Sequence, residues 1–526
     1  MSLKRGFFTF GGWTLVSRLA GFVRDLLVAI VLGAGPLADA FVVAQRLPNL
    51  FRSLFAEGAF SAAFVPLFTK VKKDGGDDAA RTFASETNAV LFMFLFVFTG
   101  IMIVGMPWVI YIIAPGFADE PLRYGLAVSL AQITFPYLLL ISLTSLQGGI
   151  LNALGQLAPF AAAPVIYNVI QIVVLLLIRP ITEMTGQGAA HIMAWAMTGA
   201  GFVQWLTLSY FCRRAGFPLV SALPVLTPSV KTFFRKLGPG VIGAGAAQIN
   251  LMVSTILASL LPAGAVSYLY YADRLNQLPL GVIGVAISTA LLPLLSQAVH
   301  DDNKEHVEQS FSRAFDLGLA FGLPAAVALL LMGEPIFQAL FVQGAFTAQD
   351  AAQSAIALAG YAIGIPAFIL VKICATRFFA AHDTATPVRV ALVAFAANIA
   401  FAIWLMPLWG VFGIALATSL ATWVNFLLLR WRLGQQGAFT LDAVSRSRIG
   451  KIILSSLVMG AVLIAVQMGL KPFFMHDDWL LRIGSLLALV LAGKAVYLKM
   501  ILLTRALPAH EILGFLRLKK LSQGPK

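Results

Sequence analysis

The stretch DAFVVAQRLPNLFRSLFAEGAFSAAFVPLF, Asp39 to Phe68, has the apolar density of a membrane span yet carries Asp39, Arg46, Arg52 and Glu57. A charge near the middle of a bilayer costs roughly 2.5–3.5 kcal/mol on insertion scales and persists where it faces protein or a water-filled cavity. The stretch therefore reads as a span whose inner face meets water or a polar cargo. The rest of the chain fits a membrane protein. Of 526 residues, 59% are hydrophobic and 11% charged, with mean hydropathy +0.88, whereas a soluble domain carries about a quarter charged residues. Apolar runs such as Ala89 to Ile113 and Ala163 to Ile178 approach or exceed the about 20 residues that cross about 30 Å of hydrocarbon. In lipid the backbone must satisfy its own hydrogen bonds, so such runs are helices.

Along the whole chain, spans fall near 7–33, 38–68, 89–113, 126–150, 158–179, 189–211, 238–261, 266–297, 314–333, 354–379, 388–408, 411–430, 449–469 and 479–503. This is an all-α polytopic protein of about fourteen transmembrane helices. The even count puts both termini on one side. Lys4, Arg5, Lys70, Lys72, Lys73, Arg81, Arg213, Arg214 and the later basic clusters share that side, against little beyond Arg123, Arg179, Lys471 and Arg482 opposite. The positive-inside rule makes the termini cytoplasmic. The net charge of +14 suits anionic headgroups and requires no nucleic acid. Lys4 and Arg5 precede a retained helix, since no compact signal-peptide core with a cleavage site follows.

The opening stretch has an echo. AQRLPNLFRSLFAEGAFSAAFVPLF from Ala44 matches ADRLNQLPLGVIGVAISTALLPLLS from Ala272, with Arg46 over Arg274, and FPYLLLISLTSLQGGILNALGQLAP from Phe135 matches IPAFILVKICATRFFAAHDTATP from Ile365. An offset of about 228 residues spans six crossings, so two six-helix lobes of like orientation are expected, related by a pseudo-two-fold axis along the membrane normal. The expected organisation is an N-lobe over 1–215, a cytoplasmic linker over 216–237 with room for an interfacial helix, a C-lobe over 238–432, and two extra helices with a cytoplasmic tail over 433–526. Two such lobes can rock about a central cavity.

Arg18, Arg24, Asp25, Asp39, Arg46, Arg52 and Glu57 all lie in the first two spans. Pairing among themselves and snorkelling to the interfaces is one reading for any single residue. At the repeat offset, however, Arg18 meets Ala246, Asp39 meets Ser267 and Arg52 meets Leu280, so the requirement belongs to one lobe and points to function. An arginine-rich cavity, joined by Arg274, suits a phosphorylated anion, because guanidinium presents a planar fork of donors. Gly11, Gly12 and Gly21 in the first span and Pro48 in the second are expected to break those helices. The chain shows no catalytic constellation and no metal site: its six histidines are scattered, its paired aspartates sit in loops, and Cys212 and Cys374 lie at or in apolar segments.

SRLAGFVRD (Ser17 to Asp25), ADAFVVAQRLPNLFRSLFAEGAFSAAFVPLF (Ala38 to Phe68), APGF (Ala114 to Phe117), TFPYLLLISL (Thr134 to Leu143) and YYADRLNQLPLGVIGVAISTALLP (Tyr270 to Pro293) strongly resemble the MurJ (MviN) lipid II flippases of the multidrug/oligosaccharidyl-lipid/polysaccharide exporter superfamily. The resemblance implies outward movement of lipid II, the undecaprenyl-pyrophosphate-linked peptidoglycan precursor, across the bacterial inner membrane by alternating access. It implies substrate-binding roles for Arg18, Arg24, Arg52, Arg274, Asp39 and Glu57, with Asp25 and Asp273 as neighbours that orient them. It also implies a lipid-tail groove along the last two spans, and as partners lipid II, membrane lipids and the peptidoglycan synthesis machinery. No cofactor is expected; the membrane potential is the expected driving force, and no residue assigns a coupling ion. Rival readings are a flippase for another polyprenyl-linked oligosaccharide, a multidrug exporter, and a membrane enzyme acting on the same lipid.

Overall fold

The computed structural model describes residues 3–55, 59–178, 186–220, 222–301, 304–437, 439, 441 and 443–507, and every regular element among them is helical. Among the described residues, eight helices are long and apolar enough to cross a membrane. Contacts divide the chain into two units, Met1–Ser267 with Gln343–Thr347, and Tyr268–Val342 with Ala348–Lys526.

The first unit comprises α1 (Leu3–Leu32), α2 (Pro36–Phe55), α3 (Ala59–Val104), α4 (Met106–Ile113), α5 (Pro121–Thr134), α6 (Tyr137–Ala153), α7 (Ala158–Ile178), α8 (Gly186–Arg214) and α9 (Pro228–Ser259). Contrary to the expectation of broken spans, α1 runs unbroken past its three glycines and α2 continues through Pro48. Glycine lowers helix propensity but keeps its N–H, and a proline is tolerated where neighbouring helices hold the turn. The sharp bend falls instead in α3 at Gly76, whose φ of 77° suits glycine. There KDGGDD turns the chain between two apolar arms.

Around that bend the segment expected as a linker, 216–237, is tied to α3. Arg81 donates to the Gly216 carbonyl at 2.8 Å, Thr227 donates to Glu86 at 2.9 Å, and Lys72 lies over the Phe217 ring. Beneath it Phe60 and Phe64 pack on Phe233 of α9, and Phe68 and Phe83 pack on Phe64, with centroids 5.1–5.8 Å apart. The sequence repeat groups α9 with the second half; its aromatic packing groups it with the first unit.

The second unit takes the remainder of α10 (Ala265–Pro279), a π-helical turn (Leu280–Gly284), α11 (Val285–His300), α12 (Lys304–Leu340), α13 (Ala348–Ala362), α14 (Ile365–Ala380), α15 (Ala385–Gln435), α16 (Ala443–Phe474) and α17 (Trp479–Thr504). The repeat is visible in the element bounds: α5 and α6 start at residues 121 and 137, α13 and α14 at 348 and 365, offsets of 227 and 228. In α15 the bend lies at Gly410, φ 54°, between the eleventh and twelfth expected spans. Small residues set the packing. A Cβ on Gly318 or Gly322 of α12 would stand 2.7 and 2.6 Å from Ile373 and Ile369, so the glycine pair forms the groove that receives an isoleucine ridge of α14. The extra pair α16 and α17 packs on α12, where Arg448 of α16 bonds buried Asp316 at 3.1 Å and Tyr497 of α17 donates to the Ala320 carbonyl.

Arg482 of α17 is 7% exposed, and its Nη1 donates to the carbonyls of Gln338 and Val342 at 3.1 and 2.8 Å. It therefore holds the C-terminal end of α12, where unpaired carbonyls and the helix dipole favour a cation. Arg482→Ala removes the donor from both carbonyls and is expected to lower stability by about 1–3 kcal/mol, read as a shifted denaturation midpoint in mixed micelles; an unchanged midpoint would show that water replaces the guanidinium.

Candidate functional site

Three helices of the first unit carry a continuous polar track. In α1, Arg24 is 9% exposed. Its Nε and Nη2 donate to Asp25 Oδ1 at 3.1 and 2.6 Å, and its Nη1 donates to Asn168 Oδ1 of α7 at 3.0 Å. The Asn168 amide nitrogen donates in turn to the Ser17 carbonyl at 3.0 Å. Beside it in α7, Tyr167 presents its ring to the Arg24 guanidinium, 5.3 Å from the centroid, and its hydroxyl accepts from Gln45 Nε2 at 3.0 Å. Along α2, Asn49 donates to the Gln45 carbonyl at 2.9 Å and accepts from Arg52 Nε at 3.3 Å. Gln45, Asn49 and Arg52 lie on one helical face by their i, i+4, i+7 spacing. On the same helix Phe51 packs edge-on to Phe98 and Phe135.

The expected site residues are thus distributed unevenly. Arg24, Asp25 and Arg52 share the track; Arg18 is exposed on α1; Glu57 lies outside the described residues. Arg274 and Asp273 belong to α10 in the second unit, where Arg274 stacks on Tyr270, 4.7 Å from the centroid, and donates to its hydroxyl at 3.1 Å, while Asp273 accepts from Gln277. Arg46 donates to Thr255 of α9, an interhelical role.

Asp39 departs furthest from the expectation of a water-lined position. Thirteen residues before Arg52 on α2, it lies about 20 Å away along the axis and is 0% exposed. Arg123 of α5 donates to it at 2.5 Å, the Gly264 and Ser267 backbone N–H groups at 2.7 and 2.8 Å, and the Ser267 hydroxyl at 2.6 Å. The carboxylate therefore caps the first turn of α10, the place where a helix leaves unpaired N–H groups and favours negative charge. Asp39 and Ser267, counterparts at the repeat offset, bond each other directly.

Arg123 is the residue that sequence reasoning missed. It reads there as one of few charges on the sparse side, yet it is 1% exposed, with its guanidinium 3.9 Å above the Phe117 ring. The available signal was its place shortly after APGF. That motif has its own geometry: a Cβ on Gly116 would stand 2.1 Å from the Ser259 carbonyl oxygen. Gly116→Ala must push back the end of α9 and is expected to cost about 1–3 kcal/mol or more, measurable as reduced folded yield and a lower denaturation midpoint; wild-type values would mean that α9 yields freely.

Among the described residues no three His, Cys, Asp or Glu side chains gather as a metal ion needs. A buried and a half-buried arginine held by amides, a tyrosine and a carboxylate can do something simpler: offer donors to an anion inside an apolar helix bundle.

The lipid II flippase MurJ family model matches residues 28–483. A relative from Rhizobium meliloti (strain 1021), described as a probable lipid II flippase MurJ, is 41% identical over 502 residues, 94% of this chain and 93% of its own length. The chain belongs to the lipid II flippase MurJ family. The Burkholderia cenocepacia lipid II flippase MurJ is 36% identical, covering 84% of this chain and 85% of its own. Among solved structures, a lipid II flippase MurJ in an inward closed conformation matches with TM-score 0.77 at 24% identity, over 94% of this chain and 98% of that one. An inward-facing MATE multidrug transporter of the MOP superfamily matches with TM-score 0.66 at 15% identity, over 81% and 96%. At these identities the two structures establish a shared transporter fold. The chain is accordingly a multi-pass membrane protein of a flippase family.

Proposed function

We propose that this chain moves lipid II from the inner to the outer leaflet of the bacterial inner membrane by alternating access, supplying the precursor for cell wall synthesis. The observation that carries the reading, beside family membership, is the Arg24–Tyr167–Gln45–Asn49–Arg52 track running across three apolar helices. Planar donor forks suit a pyrophosphate, and a cationic drug would be repelled by them. Arg18, Arg24, Arg52 and Arg274 bind the anionic headgroup in this proposal, with Asp25, Asp273 and Glu57 orienting or balancing them; Asp39 supports the bundle through Arg123 and the first turn of α10, and the polyprenyl tail stays in lipid along α16 and α17.

Both termini face the cytoplasm in this reading, which is supported by the basic residues gathered around the α3 bend and the end of α8. The chain acts as a transporter and breaks no bond. It needs no cofactor: an interior-negative potential assists export of an anion by roughly 2.3 kcal/mol per charge per 100 mV. The peptidoglycan synthesis machinery is the partner that would consume the product.

Complementation of a flippase-depleted bacterium, paired with reconstitution of the full chain in vesicles, tests the proposal. Growth, surface exposure of lipid II and recovery of chemically unchanged lipid are the expected results. Failure of a well-inserted chain to move lipid II, with movement of another polyprenyl-linked sugar, would reassign the substrate. A chemically altered lipid would make it an enzyme, and a rate indifferent to collapsing the potential would remove the driving force.

A further inference from the structure

Headgroup binding by Arg24 meets a physical obstacle, since a mobile arginine is a poor receptor: its side chain has about 2 kcal/mol of rotamer entropy to lose. In this protein that freedom is already removed, on one side by Asp25 of the same helix and on the other by one residue of α7. The Asn168 side chain, on a residue 5% exposed, has its two ends used on the same neighbouring helix. Its oxygen accepts from Arg24 Nη1 at 3.0 Å, and its nitrogen donates to the Ser17 carbonyl at 3.0 Å. Ser17 and Arg24 lie seven residues apart, two turns on one face of α1. A single amide thus bridges the stretch that begins beside Arg18 and ends at Arg24. Gly21 lies between them, where a Cβ would be only 3.6 Å from the Asn168 nitrogen, so the amide lies against the helix surface. Tyr167, held by Gln45, backs the guanidinium from the adjacent position.

We infer that Asn168 is a positioning residue for the anionic headgroup: it fixes the Arg24 fork, and the register of the Arg18–Arg24 stretch, before lipid II arrives. The inference rests on the proposed function. The chemistry favours it over a simple packing amide, because a packing asparagine needs partners but has no reason to commit its oxygen to the guanidinium. Preorganised donors bind an anion more tightly than donors that must be ordered on binding. Asn168 acts through Arg24 and makes its contribution to recognition.

The test uses the full chain in vesicles, with flipping measured as a function of the lipid II mole fraction. Asn168→Leu, similar in size and without polar atoms, is expected to raise the half-saturating lipid II at least fivefold while maximal turnover stays within twofold. Asn168→Gln, which keeps both the acceptor and the donor, is expected to recover to within threefold of the parent. In an Arg24→Lys background, where the fork is already gone, Asn168→Leu is expected to add less than a twofold change. An unchanged half-saturation in Asn168→Leu, a loss confined to maximal turnover, or full additivity with Arg24→Lys would each overturn the inference. Should Asn168→Leu fail to fold, Asn168→Gln and the Arg24→Lys pair with Asn168→Ser carry the same comparison. Binding of undecaprenyl pyrophosphate to the same purified proteins separates the two levels. A parent that binds it without flipping lipid II defeats the functional reading alone, and a fivefold weaker Asn168→Leu then still supports positioning. Equal binding by parent and variant overturns the inference, and a parent that neither flips nor binds overturns both.

Discussion

Asp39→Ala is expected to cost roughly 3–5 kcal/mol of stability, because it strips the counter-ion from a guanidinium that is buried with it. Arg123 is 1% exposed, and its bond to Asp39 at 2.5 Å is shared with the capped first turn of α10. The variant leaves that cation in an apolar setting and also leaves the Gly264 and Ser267 N–H groups without their acceptor. Arg123→Ala should be comparably damaging for the converse reason, since it leaves a buried carboxylate without its cation. The informative variant is the double replacement, Asp39→Ala with Arg123→Met. Removing both charges takes away the uncompensated one, so the double variant should be more stable than either single variant, and a double-mutant cycle in mixed micelles should return a coupling energy of about 2 kcal/mol or more, in the range of strongly interacting neighbours. Simple additivity of the two single effects would mean that the pair contributes little and that the cap on α10 is the whole role of Asp39. Asp39→Asn, which keeps an acceptor for the α10 N–H groups, should fall between the parent and Asp39→Ala.

The second large effect is functional. Arg24→Ala removes a fork whose charge-assisted hydrogen bonds are worth about 1.5–3 kcal/mol each, so flipping of lipid II should fall by roughly 10- to 150-fold at the tenfold-per-1.4 kcal/mol conversion, and growth rescue should be lost. Arg24→Lys keeps the charge without the planar geometry and should retain only part of the activity. A confounding effect is built into the site: Asp25 is 3% exposed and accepts two hydrogen bonds from Arg24, so the alanine variant also strands a carboxylate. Arg24→Ala combined with Asp25→Asn relieves that defect. If the combination folds well and stays inactive, the arginine is required for transport itself; if activity returns, Arg24 serves only to neutralise Asp25.

Much of this was legible in the chain, and the parts that were not have physical causes. Composition and long apolar runs decide the helical membrane class, since lipid offers the backbone no other partners. The duplication could be read from two matched stretches because the same side chains recur at one offset. The break expected between spans ending near 408 and starting near 411 falls at the Gly410 bend. In contrast, glycines 11, 12 and 21 read as helix breakers, and α1 is continuous: a glycine keeps the N–H that the helix needs, and at Gly21 Asn168 also packs against the helix. The linker expected over 216–237 is held by Arg81, Ser85 and Glu86, residues more than 130 positions earlier.

Charge shows the division most clearly. Residue type and chain position were enough to place Arg24, Asp25, Asp39 and Arg52 within apolar spans, where each needs a reason, because burying a charge is costly wherever it happens. What each reason is came from the packing of the helices. That packing joined Arg24 to Asn168 across 144 residues and Asp39 to Arg123 across 84, and it drew Arg123 and Arg482, which read only as the few charges of the sparsely basic side, into buried caps and ion pairs. Helix periodicity fixes which face a side chain is on; which neighbour that face meets is set by the packing of distant helices, and no local pattern encodes it.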